Sequence, residues 1–327
     1  MESFLWDLIP WGYSILLVIE SFRTGFLDLL FPIITDFGGE MGYLVILAVV
    51  YWSVNKSVGQ GLAYNYLFTA TLNTWLKVIW RLPRPDSAAL EETLNRAGIS
   101  DRLQPLIHES TPAFPSGHTQ GAFAAWGYMA ARFQRTWFWI VAAIIATLIA
   151  FSRLYVGVHF PQDILAGFFV AVSYLLLWLW LEPRVRAKLD KMSTGKRYAL
   201  AVLVPLGILL VYPVAGTATA LGALIGLGVG FVLERETLHF QVDGHWWQRV
   251  LRGIAGMVLV FSAYFGLSAL FGLFDESMGP VMELIWRIIR YGLVGFVGGW
   301  GAPWVLMQVG LLKSSHHRDT ENTEESC

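Results

Sequence analysis

Three short segments of this chain carry residues that could handle a phosphate between them. Lys77 is followed seven residues on by Arg84-Pro85, then come Pro115-Ser116-Gly117-His118, then Ser152-Arg153 with His159 and Asp163. They supply three cations, two imidazoles and a carboxylate able to orient an imidazole. That set suits a reaction in which one histidine attacks a phosphoryl group held by Lys and Arg while another protonates the departing oxygen. Neither a metal-ligand cluster nor a nucleotide-binding loop accompanies it in the sequence.

Local spacing predicts how each segment works. Seven residues are about two helical turns, so Lys77 and Arg84 are expected on one helix face, with Pro83 and Pro85 ending that helix at a membrane surface. Arg81 between them reads as an interfacial anchor. Ser116 precedes an apolar stretch and reads as its N-cap, so that its hydroxyl, the Gly117 amide and the first free amides of the helix point at an anion, with His118 one turn in, within reach of a leaving group. His159 and Asp163, four apart, share a helix face, which lets the carboxylate accept from one ring nitrogen and leaves the other as nucleophile. A metal pair is the alternative for these two, but no further carboxylate or histidine stands at ligand spacing. Arg153 offers a planar fork of donors matched to phosphate oxygens.

The elements that must position these residues belong in a bilayer. The 327 residues are 55% hydrophobic and 14% charged, where a soluble domain carries about 25% charged residues, and the mean hydropathy is +0.53. An all-α, polytopic membrane protein is expected. Spans are placed near residues 42–58, 60–80, 118–133, 136–156, 162–181, 198–214, 217–233, 252–273 and 290–312. Residues 1–23 read as an amphipathic interfacial segment, followed by a short first span ending near Gly38; one continuous tilted helix is the alternative. The N-terminus lacks a basic stretch and a small-residue cleavage site, so it is expected to be retained. No basic tract suggests nucleic acid, and the single Cys327 excludes an intramolecular disulfide.

Lysine and arginine outside the three segments collect at Arg23, Lys56, 132–135, 184–197, 235, 249 and 313–318, which the positive-inside rule places in the cytoplasm. All three segments then face the periplasm, the cell exterior or an organelle lumen. The outer insert, residues 86–113, holds Glu91, Glu92, Asp101 and His108 and is either a lid beside the site or a connecting loop. Residues 313–327 read as a disordered cytoplasmic tail.

Taken together, the segments resemble the three-part signature of the type 2 phosphatidic acid phosphatase superfamily, shared with vanadium haloperoxidases and glucose-6-phosphatase, and every signature position is matched. The resemblance implies metal-independent hydrolysis of a phosphomonoester or diphosphate, without a cofactor, through a phosphohistidine on His159 supported by Asp163. His118 would be acid for the leaving group and then base for water; Lys77, Arg84, Arg153, Ser116 and Gly117 would hold the equatorial oxygens. It covers residues 24–181, the family's six-helix core, and implies a lipid phosphate substrate with its tail in the bilayer. A soluble phosphate ester, a phosphotransferase reaction, or a transporter that only binds the head group are the competing readings. Binding alone would not need His118, His159 and Asp163, and the halogenating branch is soluble.

After the basic loop 182–197, residues 198–312 supply about four further spans that the resemblance leaves unexplained. Gly222, Gly226 and Gly230, with Gly295 and Gly299, allow close helix contact, read as intramolecular in preference to a homodimer interface. His239, His245 and Trp246-Trp247 read as interfacial anchors.

Overall fold

The computed structural model describes residues 2–272 and 279–314. Residues 315–327 of the expected tail, with Cys327, lie outside them. In chain order the helices are α1 (Glu2–Asp7), α2 (Ile9–Ser21), α3 (Gly25–Phe37), α4 (Glu40–Val49), α5 (Lys56–Trp80), α6 (Glu91–Arg96), α7 (Gly117–Phe133), α8 (Thr136–Tyr155) and α9 (Pro161–Asp190). They continue as α10 (Thr194–Val211), α11 (Ala215–Thr237), α12 (Trp246–Gly272), α13 (Pro280–Phe296) and α14 (Ala302–Gln308). Two π-helical turns, Val50–Val54 and Val297–Gly301, extend α4 and join α13 to α14. Strands β1 (Phe240–Gln241) and β2 (Lys313–Ser314) form one short antiparallel ribbon. The protein is an all-α polytopic membrane protein.

Among the described residues six helices are long and apolar enough to cross a bilayer, or seven if α3 and α4 with its π turn, bent by 58°, form one span. That is fewer than the ten segments the apolar runs suggest. Three expected spans, 60–80, 118–133 and 290–312, drop out: α5 buries Asn65, Thr69, Thr71 and Asn73, α7 is 17 residues long and buries Thr119 and Gln120, and α13 is 17 residues long and ends at a π turn. Helices that turn polar groups inward need not be uniformly apolar. By contrast, α8 exposes Trp137, Ile140 and Ile144, as a helix does when lipid is its solvent.

The chain forms two compact units, residues 1–43 with 72–180 and residues 44–71 with 181–327. In the first, α3 starts from Thr24, whose hydroxyl accepts from the Leu27 amide at 3.4 Å, and α7 starts from Ser116, whose hydroxyl accepts from the Thr119 amide at 3.4 Å. The segment Phe4–Ser21, expected at the interface, is itself long and apolar enough to span. Its buried Ile9, Tyr13 and Leu16 pack with Leu90, Leu94 and Leu103 of the outer insert and with Phe160. Tyr13 Oη accepts from the Leu103 amide at 2.7 Å, and Arg23 donates to Gln104 O at 2.5 Å and to Tyr155 O at 2.7 Å. The insert is thus fastened along its length, and Ala113 N closes it onto Leu82 O at 2.9 Å. Arg23, expected on the opposite side from this insert, is bonded to it.

In the second unit α11 and α13 pack backbone to backbone. A methyl group on Gly226 would meet the Gly292 carbonyl, and one on Gly230 would lie 3.0 Å from Gly299 Cα, so the small-residue faces read from the sequence are filled within the chain. Lys56 pairs with Glu234 at 2.5 Å, and buried Arg252 donates to Trp52 O at 3.0 Å and Asp243 O at 2.6 Å. The π turns meet: Tyr51 Oη donates to Gly299 O at 3.0 Å and Trp52 Nε1 to Gly298 O at 3.3 Å.

Candidate active site

All eight residues singled out from the sequence lie in the first unit. Lys77 sits in the last turn of α5, but Arg84 is not on that helix. Pro83 disfavours helical geometry at Leu82, the helix ends at Trp80, and Arg81 takes a left-handed φ of 46°. The shared-face expectation is therefore corrected: Arg84 reaches the site from the extended segment after α5. It meets Lys77 through Thr111, whose Oγ1 accepts from Lys77 Nζ and from Arg84 Nη2, each at 3.1 Å.

The second segment is locked between helices. Ser116 N donates to Asp163 O at 3.0 Å, tying the start of α7 to the first turn of α9. The Ser116 hydroxyl accepts from Thr119 Oγ1 at 3.0 Å and keeps its own proton to donate. Gly117 is required by close approach, since a Cβ there would lie 2.7 Å from Asn73 Oδ1. Asn73 Nδ2 in turn donates to Pro115 O at 3.2 Å and Gln120 Oε1 at 3.0 Å, so α5 positions α7 directly. His118 stands in the first turn of α7 with Gly39 beside its Nε2.

In the third segment Arg153 closes α8 and is 1% exposed; its Nη1 donates to Thr35 Oγ1 at 2.6 Å. Gly157, at φ 81°, turns the chain so that His159 faces back toward the arginines. Asp163 Oδ2 accepts from the Phe160 amide at 2.8 Å and from His159 Nδ1 at 3.2 Å. Arg84 Nη1 donates to His159 Nε2 at 3.0 Å. Because Nε2 accepts, Nδ1 carries the ring proton and gives it to Asp163. Burial, and then the charges of Arg84, Arg153 and Lys77, hold His159 well below the ordinary histidine range. The imidazole is therefore neutral near pH 7, with its lone pair at Nε2.

Glu109, in the outer insert, went unmarked in the sequence. One carboxylate oxygen accepts from Arg84 Nη2 and the other from Arg153 Nη2. Burial alone would raise its pKa, but Arg153 and Arg84 outweigh that and hold it at about 2. A lone acid in a long loop has no periodic signal. Thr35 and Asn73 did have one, being polar residues inside apolar helices.

Residues 60–187 match the PAP2 superfamily, and residues 218–315 match the PAP2 superfamily phosphatase, transmembrane extension. A lipid phosphate phosphatase delta of Arabidopsis thaliana is 25% identical over 63% of this chain and 51% of its own length. A phosphatidylglycerophosphatase B of Bacillus subtilis is 32% identical over 30% of this chain and 51% of its own. A sphingosine-1-phosphate phosphatase 1 of Rattus norvegicus is 24% identical over 85% of this chain and 71% of its own. The chain thus spans about half the length of the first two relatives. The first match contains all eight residues singled out from the sequence together with Asn73, Glu109 and Thr111, and the second falls in the other compact unit; the chain belongs to the PAP2 superfamily.

Proposed function

We propose that this chain is a metal-independent membrane phosphatase that hydrolyses a lipid phosphate or diphosphate through a phosphohistidine on His159. The observation that carries the reading is the convergence of Lys77, Arg84 and Arg153, from three separate segments, around a neutral His159 whose tautomer is set by Asp163. Kinship with proteins named for lipid phosphates supports the substrate class. His159 Nε2 attacks phosphorus, the ester oxygen leaves with a proton from His118, and the three cations with Ser116 and Gly117 stabilise charge on the equatorial oxygens. His118 then takes a proton from water, the resulting hydroxide cleaves the N–P bond, and inorganic phosphate departs.

The catalytic region in this reading is the six-helix core of residues 24–181, with the basic loop 182–197 in the cytoplasm and residues 198–312 as further spans. The site opens on the non-cytoplasmic side and the C-terminus is cytoplasmic, since the basic residues cluster on the other side of the spans from the three segments. A tail held in the bilayer would reach a site at the mouths of α5, α8 and α9 without leaving it.

Purified protein is expected to release phosphate from lipid phosphates in excess EDTA and to be inhibited by vanadate. Acid-quenched wild type should carry label from a phosphate-labelled substrate, and His159→Ala should not. Inactivation by chelator, reversed by a divalent ion, would refute metal independence. In a Cys327→Ser background, a cysteine introduced within residues 88–108 should react with a membrane-impermeant thiol reagent in intact cells and one within 188–194 should not; the opposite result inverts the orientation.

A further inference from the structure

Arg84 has no free donor. A guanidinium carries five N–H groups. In Arg84, Nε donates to Thr111 O at 2.8 Å, Nη1 donates to Val158 O at 2.8 Å and to His159 Nε2 at 3.0 Å, and Nη2 donates to Glu109 and to Thr111 Oγ1 at 3.1 Å. Arg153 gives Nη1 to Thr35 and Nη2 to Glu109, leaving Nε without a partner. The stretch 109–111 therefore offers oxygen acceptors to all three cations: two carboxylate oxygens to two arginines, and a hydroxyl to Lys77. That is the acceptor set of a phosphoryl group with three non-bridging oxygens. A phosphate can gain Arg84 only by displacing an acceptor already there, and it can take both arginines at once only in the place that Glu109 occupies. Two of the four residues holding Arg84, Val158 and Thr111, do so through backbone carbonyls fixed by the fold, whereas Glu109 does so through a side-chain carboxylate that can rotate away about its own torsions. It is also more open to solvent than the arginines it joins, its side chain 26% exposed against 5% for Arg84 and 1% for Arg153.

Resting on the phosphatase reading above, we propose that Glu109 is an internal phosphate mimic, a positioning residue that holds Arg84 and Arg153 at phosphoryl spacing in the empty site and yields both to the substrate. Because the competent state is reached only after the carboxylate leaves, its occupancy weakens apparent affinity for any phosphate by the fraction of time the arginines are taken. Release of Glu109 frees Arg84 Nη2 and Arg153 Nη2 together for the phosphoryl oxygens, while Thr111 O and Val158 O keep Arg84 in place.

The test compares full-length wild type, Glu109→Gln and Glu109→Asp in detergent for orthovanadate binding and for KM and kcat on a lipid phosphate, with Glu92→Gln, whose partner is Arg96 in the same insert, as control. Glu109→Gln should bind vanadate roughly tenfold tighter and lower KM, the scale expected when a charge-assisted competitor is removed. Glu109→Asp should lie between it and wild type, and Glu92→Gln should match wild type. Unchanged or weaker vanadate binding in folded Glu109→Gln, or a raised KM, overturns the proposal, because a residue that merely braces the arginines would loosen the site when lost. Should Glu109→Gln fail to fold, Glu109→Asp decides by the same criterion. A wild type that neither binds vanadate nor releases phosphate removes the phosphatase reading and this inference with it, whereas an active wild type with no tightening in the variant removes this inference alone.

Discussion

Both compact units bury charge, and they satisfy it differently. In the second unit Glu234, fully buried, accepts from Lys56 at 2.5 Å and from the Phe240 amide at 3.1 Å, and Arg252 is held by two backbone carbonyls. In the first, Arg84 and Arg153 share a carboxylate delivered by a loop. Exposure does not separate the two cases, since Lys56 and Glu109 are 27% and 26% exposed. What differs is the anchoring of the counter-group: Lys56 also donates to the Phe240 carbonyl at 3.3 Å, which ties it to the scaffold, whereas Glu109 is held by the side chains of Arg84 and Arg153.

The largest effects should fall on turnover in the first unit. His159→Ala and His118→Ala should each lower kcat by roughly 10² to 10⁴ or more in protein that still melts near the wild-type temperature. A comparable loss of folded protein instead would erase the distinction between the units. Lys56→Met should do the reverse: it strands Glu234 in the interior, and removing one partner of a buried pair costs about 3–5 kcal/mol. The melting temperature should fall sharply while the folded fraction binds vanadate normally. Glu234→Gln should be milder, since Lys56 is 27% exposed and can be rehydrated.

Smaller effects sharpen the comparison further. Gly226→Ala pushes a methyl group into a backbone carbonyl and should destabilise by about 1–3 kcal/mol, whereas Gly266→Ala, with open space around it, should not. Acid should separate Glu109 from the scaffold pair. Its carboxyl lies at about 2 when folded against 4.5 for an unperturbed glutamate, so the stability it contributes is complete above about 4.5 and is lost as pH falls toward 2. The gap in melting temperature between wild type and Glu109→Gln should close over that window. A gap independent of pH would show that Glu109 stabilises through packing, not charge.

What could be read from the sequence follows the range over which each signal acts. The three segments are local patterns, and their partners by helix spacing, His159 with Asp163 and Ser116 with the start of α7, lie where spacing puts them. Lys77 with Arg84 failed as a helix pair because Pro83 ends the helix between them; their meeting depends on Thr111, distant in sequence. Glu109 reaches the arginines only because residues 86–113 are folded back by contacts with α2 and Arg23, tertiary facts that no window of sequence contains. Polar residues made α5 and α7 look less apolar than their neighbours because what they bury is hydrogen-bonding capacity.

The two π turns bear on how this chain can change in length. A π turn widens the helix to hold an extra residue, and here its loosened carbonyls, Gly298 O and Gly299 O, are taken by Trp52 and Tyr51 of the other turn. Deleting one residue from 297–301 would restore an ordinary helix but rotate α14 by about 100° relative to α13. Ala302, Pro303 and Leu306 would leave their buried positions, and Lys313–Ser314 would lose register with β1. Substitutions can accumulate one at a time along these helices, but insertions and deletions cannot. Among descendants of this chain, the number of residues from α13 to β2 should be more constant than their identity.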